Sequence, residues 1–212
     1  MATVHAILVT DISETHENMT ISIQQLLGDR ESLAGAITGR QAFAKLLQLV
    51  EREPAAPEVL YLDFTGVQLA SASFLREAIL HFRDAVRRRG SKFYPVVANA
   101  NDLVIEELEV LLANRRDVLM HCSVDRNGDA GSQRLLGDLD PKQRTTLEEV
   151  LQRQETDAGE LMNAFGESEG VRQTAFNNRL TALAEMGLVI EVSHGRLKRY
   201  RALFQRGVAH GA

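Results

Sequence analysis

The sequence predicts an α/β protein in two parts, and three observations carry that prediction. Through the first two thirds of the chain, short apolar runs alternate with stretches whose apolar residues recur at helical spacing. That is the order of a sheet with helices packed on it. Turn chemistry then collects at 126–137, where Asn127-Gly128 and Gly131-Ser132 stand. Beyond it, Asp140-Pro141 opens a run of three helices followed by two strands. The boundary between the parts falls near Leu139, giving domains at 1–139 and 140–212.

Taken in order, residues 4–9 and 19–27 are apolar runs of strand length. After Gly28-Asp29, Phe43, Leu46, Leu47 and Val50 give a helix over 41–51, broken by Pro54 and Pro57. Residues 59–64 are continuously apolar up to Asp63, as in a covered sheet, and Gly66 ends the strand. A helix over 74–89 carries Leu75, Ile79, Phe82 and Val86 on one stripe. Its end, Arg87-Arg88-Arg89, complements the negative pole of the helix dipole, and Gly90 stops it. Residues 93–98 form a third strand, which Pro95 assigns to an edge or a strand start. A helix over 102–114 and a strand over 118–124 follow, and 126–137 reads as turn or linker.

In the second part, Asp140 as N-cap with Pro141 in the first turn starts a helix that runs to about 154. A short helix spans 157–165. Gly170 precedes a third helix over 173–186, which Gly187 ends. Strands at 188–192 and 197–203 meet at a His194-Gly195 turn, with Leu197 and Tyr200 directed at the core.

The composition excludes several classes. Of 212 residues, 44% are hydrophobic and 25% charged, which rules out wholesale disorder. The single cysteine, Cys122, excludes an internal disulfide and any structural zinc site that needs two thiolates. No apolar run approaches the roughly 18–20 residues of a membrane span, and the first ten residues lack the basic region of a signal peptide. The expectation is a protein of the reducing cytoplasm with no membrane partner. There is no Gly-rich phosphate loop, no Gly-x-Ser-x-Gly elbow and no His-Glu-x-x-His. His121 and Cys122 adjoin on a predicted strand, so they point to opposite faces and form no nucleophile–base pair. The protein reads as non-enzymatic, without cofactor or metal.

The net charge of −5 hides an asymmetry: residues 1–139 account for all of it, whereas 170–212 hold seven basic and two acidic residues. Phe176, Leu180 and Leu183 fall at i, i+4 and i+7 and face the core, leaving Thr174, Asn177 and Asn178 on other faces. Asn pairs bidentately with adenine and Arg with guanine in the major groove. Arg172, Gln173 and Thr174 stand at the helix N-terminus, the end that enters the groove. Arg196, Lys198, Arg199 and Arg201 suit phosphate contacts, although strand periodicity keeps them from all facing one way.

The order helix, helix, helix, hairpin, with Leu180-x-x-Leu183-x-x-x-Gly187-Leu188-Val189 and a basic tip from Gly195 to Arg201, resembles the winged helix-turn-helix of bacterial ArsR/MarR-type regulators over about 140–204. That resemblance implies double-stranded DNA as partner, read through Arg172, Gln173, Thr174, Asn177, Asn178 and Arg179. Arg196, Lys198, Arg199 and Arg201 would serve as wing or phosphate contacts. It also implies a homodimer on paired half-sites. Protein docking is the other known use of such domains.

In the first part, Asp63-Phe64-Thr65-Gly66-Val67, Ser71, Ser73-Phe74 and Glu77, together with Asn99 and Gly39-Arg40 before the first helix, resemble the STAS-like domains of unknown function over about 19–123. These are related to anti-sigma-factor antagonists. Ser73 falls where the antagonists carry their phosphorylated serine. Ser71 and Phe74 stand where the antagonists have Asp and Gly. The resemblance implies a sensor or partner-switching module acting with a kinase or GHKL-type ATPase, and makes Ser71 and Ser73 candidate switch positions. The plainer reading is that a hydroxyl here caps the following helix, and that Asp63 bonds turn amides.

The expected fold is therefore α/β, a STAS-like sheet with packed helices followed by a winged helix. The expected function is a DNA-binding transcriptional regulator that senses a partner or signal. The alternative is a partner-switching adaptor whose winged helix binds protein.

Overall fold

The computed structural model describes residues 18–195 and 197–204. Along the chain, β1 (Met19–Ser22) and a one-turn α1 (Ile23–Leu26) precede β2 (Ser32–Leu33), α2 (Ala36–Leu49), β3 (Glu58–Asp63) and β4 (Leu69–Ala70). The next helix is continuous from α3 (Ala72–Leu75) to α4 (His81–Arg88), with one π turn, Arg76–Leu80, between them. Then come β5 (Phe93–Ala98), α5 (Asp102–Arg115), β6 (Val118–Val124) and β7 (Ala130–Gly137). The central sheet has the order β1-β3-β5-β6-β7, with β1, β3, β5 and β6 parallel and β7 antiparallel at the edge. The fold is mixed α/β with a mostly parallel sheet.

The strand order explains the layering. From β1 to β3, β5 and β6 the chain steps the same way across the sheet. Right-handed crossovers, the rule for parallel connections, then put every helix on one face. That face meets Ala42 and Leu46 of α2, Phe74, Ile79 and Phe82 of the long helix, and Val104, Leu108 and Leu112 of α5. The strands supply Leu60, Leu62, Val97 and Leu119 to it, and alternation sends Val59, Tyr61, Tyr94, Val96, Met120 and Cys122 to the other face. Those residues are buried as well, so something other than these helices covers them.

The cover is the C-terminal lobe: α6 (Pro141–Arg153), β8 (Glu155–Thr156), α7 (Ala158–Glu169), α8 (Gln173–Glu185), β9 (Val189–His194) and β10 (Leu197–Ala202), its antiparallel sheet ordered β8-β10-β9. Leu180, Leu183, Val189, Ile190 and Phe204 join the apolar cluster beneath β3, β5 and β6. Tyr61 stacks on Phe204 with ring centroids 6.5 Å apart, a contact worth about 0.5–1.5 kcal/mol beyond its burial. Polar bonds fix the orientation. Tyr94 Oη accepts from Glu191 N at 3.1 Å, and Arg87, lying 3.9 Å over the Tyr94 ring, donates Nη2–H to Ala184 O at 2.9 Å.

Several expectations need correction. The run 19–27 is a strand only to Ser22, whose Oγ then caps α1. The helix placed at 41–51 begins at Ala36, so Gly39-Arg40 lies inside it and not before it. Gly39 is there because α2 approaches the long helix closely: a Cβ on it would sit 2.7 Å from Glu77 Cβ. Pro95 is in a central strand. Bonds Glu58 N–Lys92 O and Phe64 N–Ala98 O direct the even-numbered residues of β5 to β3. Pro95 therefore points toward β6, where registered pairing is confined to Val97 and Ala98, and its missing N–H is not needed. The supposed linker at 126–137 holds β7, reached through a tight turn in which Asp125 Oδ1 accepts from Asn127 N and Asp129 N. The helix expected at 157–165 extends to Glu169. Tyr200 is buried, but Leu197 is 55% exposed, because the two differ in strand parity. The strand expected at 4–9 lies outside the described residues.

Candidate nucleic-acid interface and hydroxyl pair

The three C-terminal helices begin differently. At the start of α6, Asp140 Oδ1 accepts from Lys142 N at 3.0 Å and Gln143 N at 3.3 Å. At α7, Asp157 Oδ1 accepts from Gly159 N at 2.8 Å and Glu160 N at 2.9 Å. The N-cap of α8 is Arg172, whose side chain accepts nothing. Among the described residues the first-turn N–H groups of α8 thus lack a side-chain acceptor, although Ala175 N donates to Arg172 O at 2.9 Å, and a guanidinium stands at the positive end of the helix. Phe176, Leu180 and Leu183 turn inward and are buried, whereas Arg172, Gln173, Thr174, Asn177 and Asn178 are all exposed on the outward surface.

The remaining basic candidates are held differently. Arg179 is half-buried: its Nη2 lies 2.7 Å from Glu169 Oε2 and its guanidinium 5.0 Å from the Phe176 ring centre, joining α8 to α7. Arg199 is bound by three carboxylates, those of Glu155, Asp157 and Glu160, the last two each at 3.1 Å. The hydrogen bonds it donates to Glu155 and Glu160 hold its pKa above the ordinary value for arginine. The Thr156 hydroxyl first, and Arg199 after it, lower that of Glu160. Lys198 pairs with Glu191 across the hairpin at 2.8 Å, which raises its pKa. Arg201 is half-buried, and neither it nor Arg172 makes an ion pair among the described residues. Arg196 lies outside the described residues. The structure therefore brings together the five exposed residues of α8, and holds Arg179, Lys198 and Arg199 in pairs within the lobe.

Ser71 and Ser73 lie at the C-terminal ends of the parallel strands. Ser71 Oγ accepts from Phe74 N at 3.3 Å and from Gly35 N at 3.1 Å, and lies 3.1 Å from Ser73 Oγ. It is the N-cap of α3 and also ties β4 to the start of α2. Nearby, Asp63 Oδ1 accepts from Thr65 N and Oγ1 and from Asn99 Nδ2, at 3.0, 2.7 and 3.0 Å. Asn99, at φ +53°, also exchanges hydrogen bonds with Val124. The strand ends of β3, β5 and β6 are thereby laced together.

Sequence reasoning missed two features. Arg87 closes the lobe interface, yet the Arg87-Arg88-Arg89 run reads simply as dipole compensation; only the folded chain brings Ala184 to it. Arg83 is buried between Asp84 and Asp117, each at 2.6 Å, with Arg115 completing the network. Burial opposes ionisation of Asp117, but the Arg83 hydrogen bond and charge hold its pKa below the usual carboxylate value. Cys122 is buried, which pushes its thiol up to about 12. No group of three or more potential ligands gathers to hold a metal ion among the described residues, and no helix among them is long and apolar enough to cross a membrane. No protein-family model matches the chain, and no curated protein matches it.

Proposed function

We propose that the protein is a DNA-binding transcriptional regulator, its C-terminal lobe a winged helix and its N-terminal lobe a STAS-like, partner-sensing domain. The observation that carries this reading is the contrast at the helix starts. Asp caps α6 and α7, while α8 opens on Arg172 with no side-chain cap. That choice forgoes about 0.5–2 kcal/mol of capping stability and leaves a site suited to a phosphate. Behind it, Gln173, Thr174, Asn177 and Asn178 present donors and acceptors to base edges. The helix order and the β8-β10-β9 sheet, with its hairpin tip at 194–197, agree with the winged-helix reading. On two half-sites a homodimer spaces its α8 helices by one helical turn, about 34–36 Å.

The test is fluorescence anisotropy of the full chain on DNA from upstream of its own gene, across salt, with random DNA as competitor. Affinity falls with a log–log slope of about −0.9 per phosphate neutralised. An Asn177→Ala/Asn178→Ala variant loses specificity by at least tenfold, since each bidentate base contact discriminates by about 1–3 kcal/mol. Absence of binding at low salt, to either DNA, refutes the reading.

A second reading has one observation in its favour. Arg179, Lys198 and Arg199 all carry carboxylate partners, so the basic excess of 170–212 is partly neutralised within the lobe. A partner-switching adaptor needs no free cations there, and it predicts salt-insensitive protein binding.

A further inference from the structure

The helix α5 is apolar on two sides. Val104, Ile105, Leu108, Leu111 and Leu112 are buried against the sheet. Leu103, Glu106, Glu107 and Val110, at i, i+3, i+4 and i+7, form an outward stripe. Leu103 is 53% and Val110 60% exposed. Across from them, Leu69 of β4 is 52% exposed. Between α5 and the β2–β4 ribbon runs a groove of about 500 Å³, lined by Leu33, Leu69, Leu103, Glu106, Glu107 and Val110 among others. Its walls are fixed by hydrogen bonds. Asn101 caps α5 through Oδ1 and donates Nδ2–H to Val67 O and Gln68 O, both at 3.0 Å, while Glu31 O accepts from Gln68 N and Leu69 N.

Charge selects the occupant. Among the described residues, two glutamates and no Lys or Arg line the groove. A second copy of the chain, apposed through the same face, sets Glu106 and Glu107 against themselves. The chain's own residues 1–17 hold an apolar run but no Lys or Arg, and carry Asp11, Glu14 and Glu17. An anionic membrane or nucleic acid is repelled. We infer that this groove docks an amphipathic helix of another protein, its apolar stripe bordered by Lys or Arg, laid against Leu69, Leu103 and Val110 with Glu106 and Glu107 pairing its basic edge. The inference rests on the reading of the N-terminal lobe as partner-sensing. It is independent of DNA binding, so the DNA titration and the test below fail separately.

The probe is a fluorescent helical peptide of about 14 residues, roughly four turns, with Leu on one stripe and Lys beside it; a twin carries Glu in place of Lys. Anisotropy with the full chain is expected to show saturable binding of the Lys peptide and at least tenfold weaker binding of the Glu peptide. Leu103→Asp/Val110→Asp, both exposed and so compatible with folding, weakens the Lys peptide at least tenfold. Glu106→Lys/Glu107→Lys inverts the preference between the peptides. Equal binding of both peptides, or indifference to these substitutions, overturns the proposal. So does a dimer in sedimentation that Val110→Asp dissolves, which makes a second copy the occupant. A tenfold gain in Lys-peptide affinity from Ile7→Asp/Val9→Asp likewise overturns it, because the chain's own N-terminal segment is then the occupant.

Discussion

Helices α8 and α5 are close in length and opposite in what they show to solvent. Both bury one apolar side, Phe176, Leu180 and Leu183 in α8 and Val104, Leu108 and Leu112 in α5. Outward, α8 presents amides, a hydroxyl and an arginine at an uncapped start, while α5 presents Leu103 and Val110 beside two glutamates behind an Asn101 cap. In the capped helix Asn101 Oδ1 satisfies Val104 N, and the outward side exposes apolar area. The uncapped one leaves Gln173 N and Thr174 N without a side-chain acceptor among the described residues. Within the C-terminal lobe, α8 is the one helix of three without a side-chain cap; in the N-terminal lobe α2 likewise opens on Gly35 with none.

The largest expected effect sharpens the contrast between the inner and outer sides. Leu108→Ala leaves a cavity in a fully buried site and lowers unfolding free energy by about 2–5 kcal/mol. Leu103→Ala, one turn away and exposed, stays within about 0.5 kcal/mol. Urea denaturation of the two variants measures the difference, and equal losses break the account of α5. An intermediate effect concerns the lobe interface: Tyr94→Phe removes the acceptor of Glu191 N, a half-buried donor, and costs about 0.5–1.5 kcal/mol, the net worth of one hydrogen bond. Hydrogen exchange at Glu191 reads this directly.

The smallest effect is a pH dependence. His121 is buried on β6, and among the described residues neither ring nitrogen has a hydrogen-bond partner. Burial first, and Arg134 second, lower its pKa from 6.5. The unfolded chain therefore takes up this proton at a higher pH than the native one. The contribution is fully present above about pH 7 and is lost as pH falls through 6.5 toward the native pKa. His121→Leu should flatten the stability profile between pH 7.5 and 5.5; an unchanged slope rules the residue out as its source.

Much of this was legible from local chemistry. The Asp140-Pro141 start, the inward stripe of α8 and the run at 59–64 each follow from spacing or capping within a few residues, and all three are present. Asp63 bonds its turn, and Ser71 caps its helix, as the plainer reading had it. What escaped depends on distant partners. β7 lies at a sheet edge with Leu136 its one buried residue, so it has no apolar alternation to betray it. The place of Pro95 follows from how few residues β6 pairs with β5. The ion pairs of Arg199 join residues more than 35 positions apart. The doubly apolar character of α5 was in the sequence, in Leu103 and Val110, but its inner stripe alone accounts for a packed helix.

Arg172→Asp tests the central claim most directly, because it moves two quantities in opposite directions. An aspartate at this position caps α8 as Asp140 and Asp157 cap α6 and α7. The account predicts a gain of about 0.5–2 kcal/mol in urea denaturation, with DNA affinity reduced at least tenfold and the log–log salt slope shallower by about 1. A stabilised variant that binds DNA as tightly as the parent, or a variant that loses both stability and binding, contradicts it.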